Sequence, residues 1–132
     1  MDWTYIGSRE FENDKVRIQT DLDKREEAAK SEPQAQSILA LRDHWDAFIK
    51  AINEFEAKKC DPFDELSPAR GRYFKPIPGY FVLKSPRYRA YYLRDPVGLK
   101  PPLGPVAVAA AIMFWRQSRS ELRDILESRR KG

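Results

Sequence analysis

The second half of this 132-residue chain gathers side chains that could handle phosphate: Arg70, Arg72, Tyr73, Lys75, Lys84, Arg87, Tyr88, Arg89, Tyr91, Arg94, Arg116 and Arg119. Guanidinium and ammonium groups bind phosphates, and tyrosine rings stack on bases. The same groups can promote phosphodiester cleavage without histidine, because Lys or Arg stabilises the charge that develops on phosphorus. A Tyr or a perturbed Lys could then move protons, though each needs a pKa shift first. The competing reading makes the tyrosines core and the arginines ordinary surface.

Other chemistries fit poorly. There is no Walker loop and no Gly-rich dinucleotide turn. The one histidine, His44, has Leu41 and Phe48 as helical neighbours, which reads as a structural histidine at the edge of an apolar stripe. No nucleophile motif accompanies it. Cys60 is the one cysteine, so an intramolecular disulfide framework and a thiolate zinc cluster are excluded. Its position after Lys58-Lys59 could lower its pKa, but a lone cysteine at a helix end reads as incidental. No cofactor or metal is called for.

The charge is divided unevenly. Residues 1–66 hold 10 Lys/Arg and 16 Asp/Glu, a net of −6, while residues 67–132 hold 14 Lys/Arg and 4 Asp/Glu, a net of +10. The second half is as basic as many nucleic-acid-binding modules. Length fits one domain spanning 1–132, able to bury roughly two thirds of its unfolded surface. With 42% apolar and 33% charged residues, the chain is neither disordered nor membrane-embedded in composition. Its longest uncharged stretch, 101–115, is too short to span a bilayer and carries three prolines. Residues 1–25 alternate charge rather than following a basic start with an apolar run, so the expected location is cytoplasmic.

The elements that must position these groups follow from periodicity. Trp3, Tyr5 and Ile6 make a short strand, broken at Gly7-Ser8, and Ser8 is placed to cap a helix. Residues 9–30 read as a weakly amphipathic helix with Phe11, Ile18 and Leu22 near one face. Ser31-Glu32-Pro33 interrupts it. Ile38, Leu41, Trp45, Phe48, Ile52 and Phe55 recur at spacings of 3, 4, 3, 4 and 3, the apolar stripe of a second helix that stops at Asp61-Pro62. Strand-like runs follow at 72–84, interrupted by Pro76 and Pro78, and at 87–94, with Ser85-Pro86 as the turn between them. Tyr88, Ala90 and Tyr92 should share one face, and Arg87, Arg89, Tyr91 and Leu93 the other. Residues 95–105, with four prolines, read as a loop. The uncharged run Val106–Phe114 reads as a central strand, and 121–130 as a last helix capped by Ser118 or Ser120. The fold class is α+β: an N-terminal strand, a helical hairpin on one face of an antiparallel-rich sheet with three further strands, and a C-terminal helix.

That layout resembles the RelE/ParE toxin superfamily, including its phage-derived HigB-like branch. Trp3-Thr4-Tyr5-Ile6 followed by Arg9-Glu10-Phe11 is similar to the family's first strand and Phe-containing helix. Arg87-Tyr88-Arg89-Ala90-Tyr91-Tyr92 resembles its central Tyr-Arg-x-x-Tyr strand, and Val106–Phe114 running into Trp115-Arg116-Gln117-Ser118-Arg119 resembles its last apolar strand and basic cluster. The resemblance implies a small toxin held inactive by a cognate antitoxin. Members of one branch cut mRNA in the ribosomal A site; members of the other poison DNA gyrase. For the nuclease branch it implies Arg89 and Arg116 as catalytic residues, with Lys84 and Lys75 as candidates for the basic residues of its middle strands. The residue types and strand spacing themselves add the expectation that Arg87, Arg89 and Arg116 converge on one phosphate with Lys84 nearby as a catalytic group, that Tyr91 stacks on a base, and that Lys75, Arg94 and Arg119 help bind nucleic acid. The family's terminal-helix tyrosine has no match, since Leu122 falls about there. The expected function is thus a ribosome-dependent mRNA endoribonuclease. The alternatives are a gyrase inhibitor without nuclease chemistry, or a non-toxic nucleic-acid-binding or phage accessory protein.

Overall fold

A computed structural model describes residues 3–61, 72–73, 79–95, 105–115 and 118–131. Strand β1 (Thr4–Gly7) leads into helix α1 (Arg9–Ala28) and helix α2 (Glu32–Ala57). Four strands follow, β2 (Arg72–Tyr73), β3 (Tyr80–Lys84), β4 (Tyr88–Asp95) and β5 (Val106–Phe114), and then helix α3 (Arg119–Lys131). The protein is α+β, as its periodicity implies.

The helix boundaries have local causes. The Ser8 hydroxyl accepts the Phe11 N–H and opens α1. The Ser31 hydroxyl accepts the Gln34 N–H, and Pro33 sits in the first turn of α2, where its missing N–H costs nothing. Pro33 therefore marks a helix start as well as the break before it. The Ser118 hydroxyl accepts the Glu121 N–H at the start of α3.

The strands form one mixed sheet in the order β1-β5-β4-β3-β2. β1 pairs parallel with β5, and the other neighbours are antiparallel. One expectation needs correction here. The run 72–84 is not one interrupted strand, because Arg72 pairs with Val82 and Tyr73 with Phe81, which makes β2 a separate edge strand folded back on β3. Residues 74–78 between them, and 96–104 of the expected Pro-rich loop, lie outside the described residues.

Both faces of the sheet are covered. The α1–α2 hairpin packs on one face, burying Phe11, Ile18, Trp45, Phe48 and Phe55 against Phe81, Tyr88, Tyr92, Ala109 and Ile112. Helix α3 packs on the other, with Leu122 and Leu126 against Tyr80, Val82, Tyr91, Ala111 and Met113. The alternation of β4 serves both layers: Tyr88, Ala90 and Tyr92 meet the hairpin, and Tyr91 and Leu93 meet α3. Strand β5 cannot keep this phase alone. Tyr91 pairs with Ala111 but Tyr92 with Ala109, so Ala110 is an extra, bulged residue. The bulge turns Ala110 and Ala111 together toward α3 and leaves Ala109 and Ile112 facing the hairpin. Among the described residues no helix is long and apolar enough to cross a membrane.

Candidate nucleic-acid interface

The basic residues of the middle strands gather around the β3–β4 turn, which Ser85 builds. Its hydroxyl accepts the N–H groups of Arg87 (3.3 Å) and Tyr88 (2.9 Å), and its own N–H donates to the Tyr88 carbonyl at 3.0 Å. Arg89 closes the same turn. Its Nη1 donates to the Ser85 carbonyl at 2.7 Å and to the Tyr88 carbonyl at 3.2 Å, and its side chain is half-buried. A guanidinium expected to be catalytic thus holds backbone. Lys84 is exposed at the end of β3 and lines an apolar groove of about 270 Å³ with His44, Phe48 and Phe55 of α2.

Arg87 does not share a strand face with Arg89, contrary to their two-residue spacing. The Ser85 turn holds Arg87 outside the regular alternation, because β4 begins only at Tyr88. Arg87 instead lines a cleft on the hairpin side with Arg25, Leu41 and Phe114. The expected convergence of Arg87 and Arg89 on one phosphate is not formed. Arg116 and Lys75 lie outside the described residues.

The expected stacking tyrosine is core. Tyr91 is 3% exposed and packs with Leu122 and Leu126 under α3, and burial pushes its phenol up to about 12 against a smaller pull from Arg89. Tyr88 is likewise pushed up to about 12 by burial, and its hydroxyl donates to the Leu41 carbonyl at 2.9 Å. Both phenols stay protonated far above neutral pH, so neither offers a proton-accepting group there. Arg94 is exposed and lies over the Trp3 ring at 5.3 Å. Arg119 is exposed at the first residue of α3.

One cleft joins cationic and exposed aromatic groups. It measures about 540 Å³ and is lined by Arg25, Ser37, Ala40, Leu41, Arg87, Phe114 and Trp115. The Trp115 N–H donates to the Arg87 carbonyl at 3.0 Å, extending the β4–β5 ladder and fixing the two side by side. Trp115 is 42% exposed. Arg25 reaches the cleft from the end of α1, with its guanidinium 5.7 Å from the Phe114 ring centre and its Nε 2.9 Å from Asp21. A neighbouring cleft of about 370 Å³ shares Arg25 and Phe114 and adds Arg17 and Arg129. Residue types alone do not single out Trp115 or Arg25. Trp115 ends an apolar strand and Arg25 ends a solvated helix turn; the hairpin closure unites them.

A second pairing also lies beyond local patterning. Asp14 is 2% exposed, takes Arg129 Nη1 at 2.6 Å and Nη2 at 3.1 Å, and accepts the Ile112 N–H at 3.2 Å. Its signal in the sequence is a carboxylate set in the apolar stripe Phe11, Asp14, Ile18, Leu22.

No protein-family model, no curated protein and no solved structure matches the chain.

Proposed function

We propose that the chain is a growth-arresting toxin of the RelE/ParE kind, acting on translated mRNA at the ribosome and silenced by a protein antitoxin. The observation that supports it is the element order: a strand, a helical hairpin, a run of antiparallel strands and a terminal helix. This order agrees with the layout that the sequence resemblance implies, with β2 as an addition. A basic sheet end carrying Lys84, Arg87 and Arg89 suits an anionic target. Endonucleolytic cutting would rest on Lys84 and Arg116, since Arg89 is engaged with the β3–β4 turn.

A gyrase-directed toxin without nuclease chemistry is the second reading. Two observations favour it: Tyr91 is buried, and Leu122 occupies the terminal-helix position as a core residue. Inducible expression separates the readings. Growth arrest with new 5′ ends inside translated reading frames supports the first, and arrest with gyrase-dependent DNA breaks supports the second. Expression without arrest overturns both and favours a non-toxic nucleic-acid-binding role.

A further inference from the structure

The geometry points to the Arg25–Arg87–Trp115 cleft as a binding site for single-stranded nucleic acid, with a base stacked on Trp115 and its phosphate held by Arg87. This inference rests on the cleft alone and holds whether or not the chain is a toxin.

Four observations carry it. Trp115 is 42% exposed, whereas Trp3 and Trp45 are 5% and 3% exposed. A partly exposed indole beside a cleft offers ring surface on which a base can stack. The Arg87 side chain is exposed and has no hydrogen-bond or ion partner among the described residues, so its planar fork is available to a phosphate. The ladder bond from Trp115 N–H to the Arg87 carbonyl holds ring and cation on adjacent strands, a rigid spacing rather than a loop accident. The cleft's volume of about 540 Å³ leaves room for a base, and Ser37 of α2 is among the residues that line it.

Arg25 adds charge where the cleft meets its neighbour. Its acidic partner Asp21 lines the neighbouring cleft rather than this one. A second phosphate could therefore continue along Arg25 toward Arg17, whose guanidinium is 66% exposed. An unstacked base is needed to reach the indole, so a duplex does not fit the site. An acidic peptide would satisfy the guanidiniums but would leave the indole unused.

The test is a binding titration of the purified full chain with short single-stranded RNA and DNA oligonucleotides, a duplex of the same sequence and poly-glutamate. It is read by tryptophan fluorescence and by anisotropy of labelled oligonucleotide. Single strands should quench the fluorescence. Trp115→Ala should lower their affinity roughly tenfold or more. Trp115→Phe, which keeps a ring and guards against a folding defect, should stay within about threefold of wild type. Arg87→Ala should flatten the dependence of log affinity on log salt by about 0.7, one single-strand phosphate. Lys50→Ala, on the exposed face of α2, should change neither. RNA binding alone, DNA binding alone or both support the site and say which strand it takes. Duplex or poly-glutamate binding as tight as single-strand binding, or Trp115→Ala and Arg87→Ala proteins that bind like wild type, overturns it.

Discussion

Asp14 and Arg129 form a two-pronged ion pair across the open edge of β5, at 2.6 and 3.1 Å, joining α1 to α3. Strand β1 pairs with β5 only as far as Ala109. Beyond it, Asp14 accepts the Ile112 N–H and Arg129 donates to the Ala110 carbonyl at 2.9 Å. The pair thus satisfies backbone groups beside the bulge that no strand reaches.

Removing one partner leaves a buried charge uncompensated, which costs about 3–5 kcal/mol. Arg129→Ala should lose stability toward the lower end of that range, since Arg17, 3.0 Å from Asp14 but largely in solvent, offsets the charge only in part. Urea unfolding measures it. A loss below about 1 kcal/mol would mean that the pair is worth no more than a surface ion pair.

Arg89 is expected to act through the turn. Hydrogen bonds from charged groups are worth about 1.5–3 kcal/mol when buried, so Arg89→Ala at this half-buried site should cost about 1 kcal/mol. Any loss of growth arrest should then track the folded fraction, with Arg89→Lys recovering part of both. A variant of wild-type stability that fails to arrest growth would instead place Arg89 on the target.

The buried tyrosines set an alkaline limit. Tyr88 and Tyr91 are raised from 10.0 to about 12 in the folded protein by burial. Their contribution is complete below about pH 10, and it is lost as pH rises from 10 toward 12, because the unfolded chain ionises first. Phenolate absorbance should lag and then rise with unfolding. A smooth titration near pH 10 with the fold intact would contradict this.

Glu56 gives a dependence of the same sign in an acidic window. Burial raises its carboxyl above 4.5, against the Tyr92 hydroxyl that donates to it at 2.9 Å and the charge of Lys15. A raised carboxyl binds its proton more tightly in the folded state, so its cost appears as pH rises through the window above 4.5. Glu56→Gln keeps an acceptor for Tyr92 and should gain stability at pH 7 but not at pH 4. Equal effects at both pH values would show that the carboxyl titrates normally.

Much of this fold is legible in local periodicity. The stripe from Ile38 to Phe55 encodes α2, and it brings Trp45 to 5.1 Å from Tyr88 between ring centres. The alternation of Tyr88, Ala90 and Tyr92 against Tyr91 and Leu93 encodes the two faces of β4, but not that α3 covers the second face and buries Tyr91 where a stacking tyrosine is expected. What depends on distant pairing is not legible. The Ala110 bulge is set by register with β4, and Asp14 meets Arg129 across 115 positions. The site follows the same division. Lys84 and Arg87 lie at the sheet end that their strands imply, but the Ser85 hydroxyl turns Arg87 toward α1, where Arg25 and Trp115 complete a cleft.

The toxin assignment is tested most directly by inducing the chain in bacteria and mapping transcript 5′ ends as growth is followed. A ribosome-dependent toxin should cause arrest, with new ends confined to translated reading frames and abolished when the reporter's start codon is removed. Unchanged growth and an unchanged 5′-end map at full expression of folded protein would contradict it.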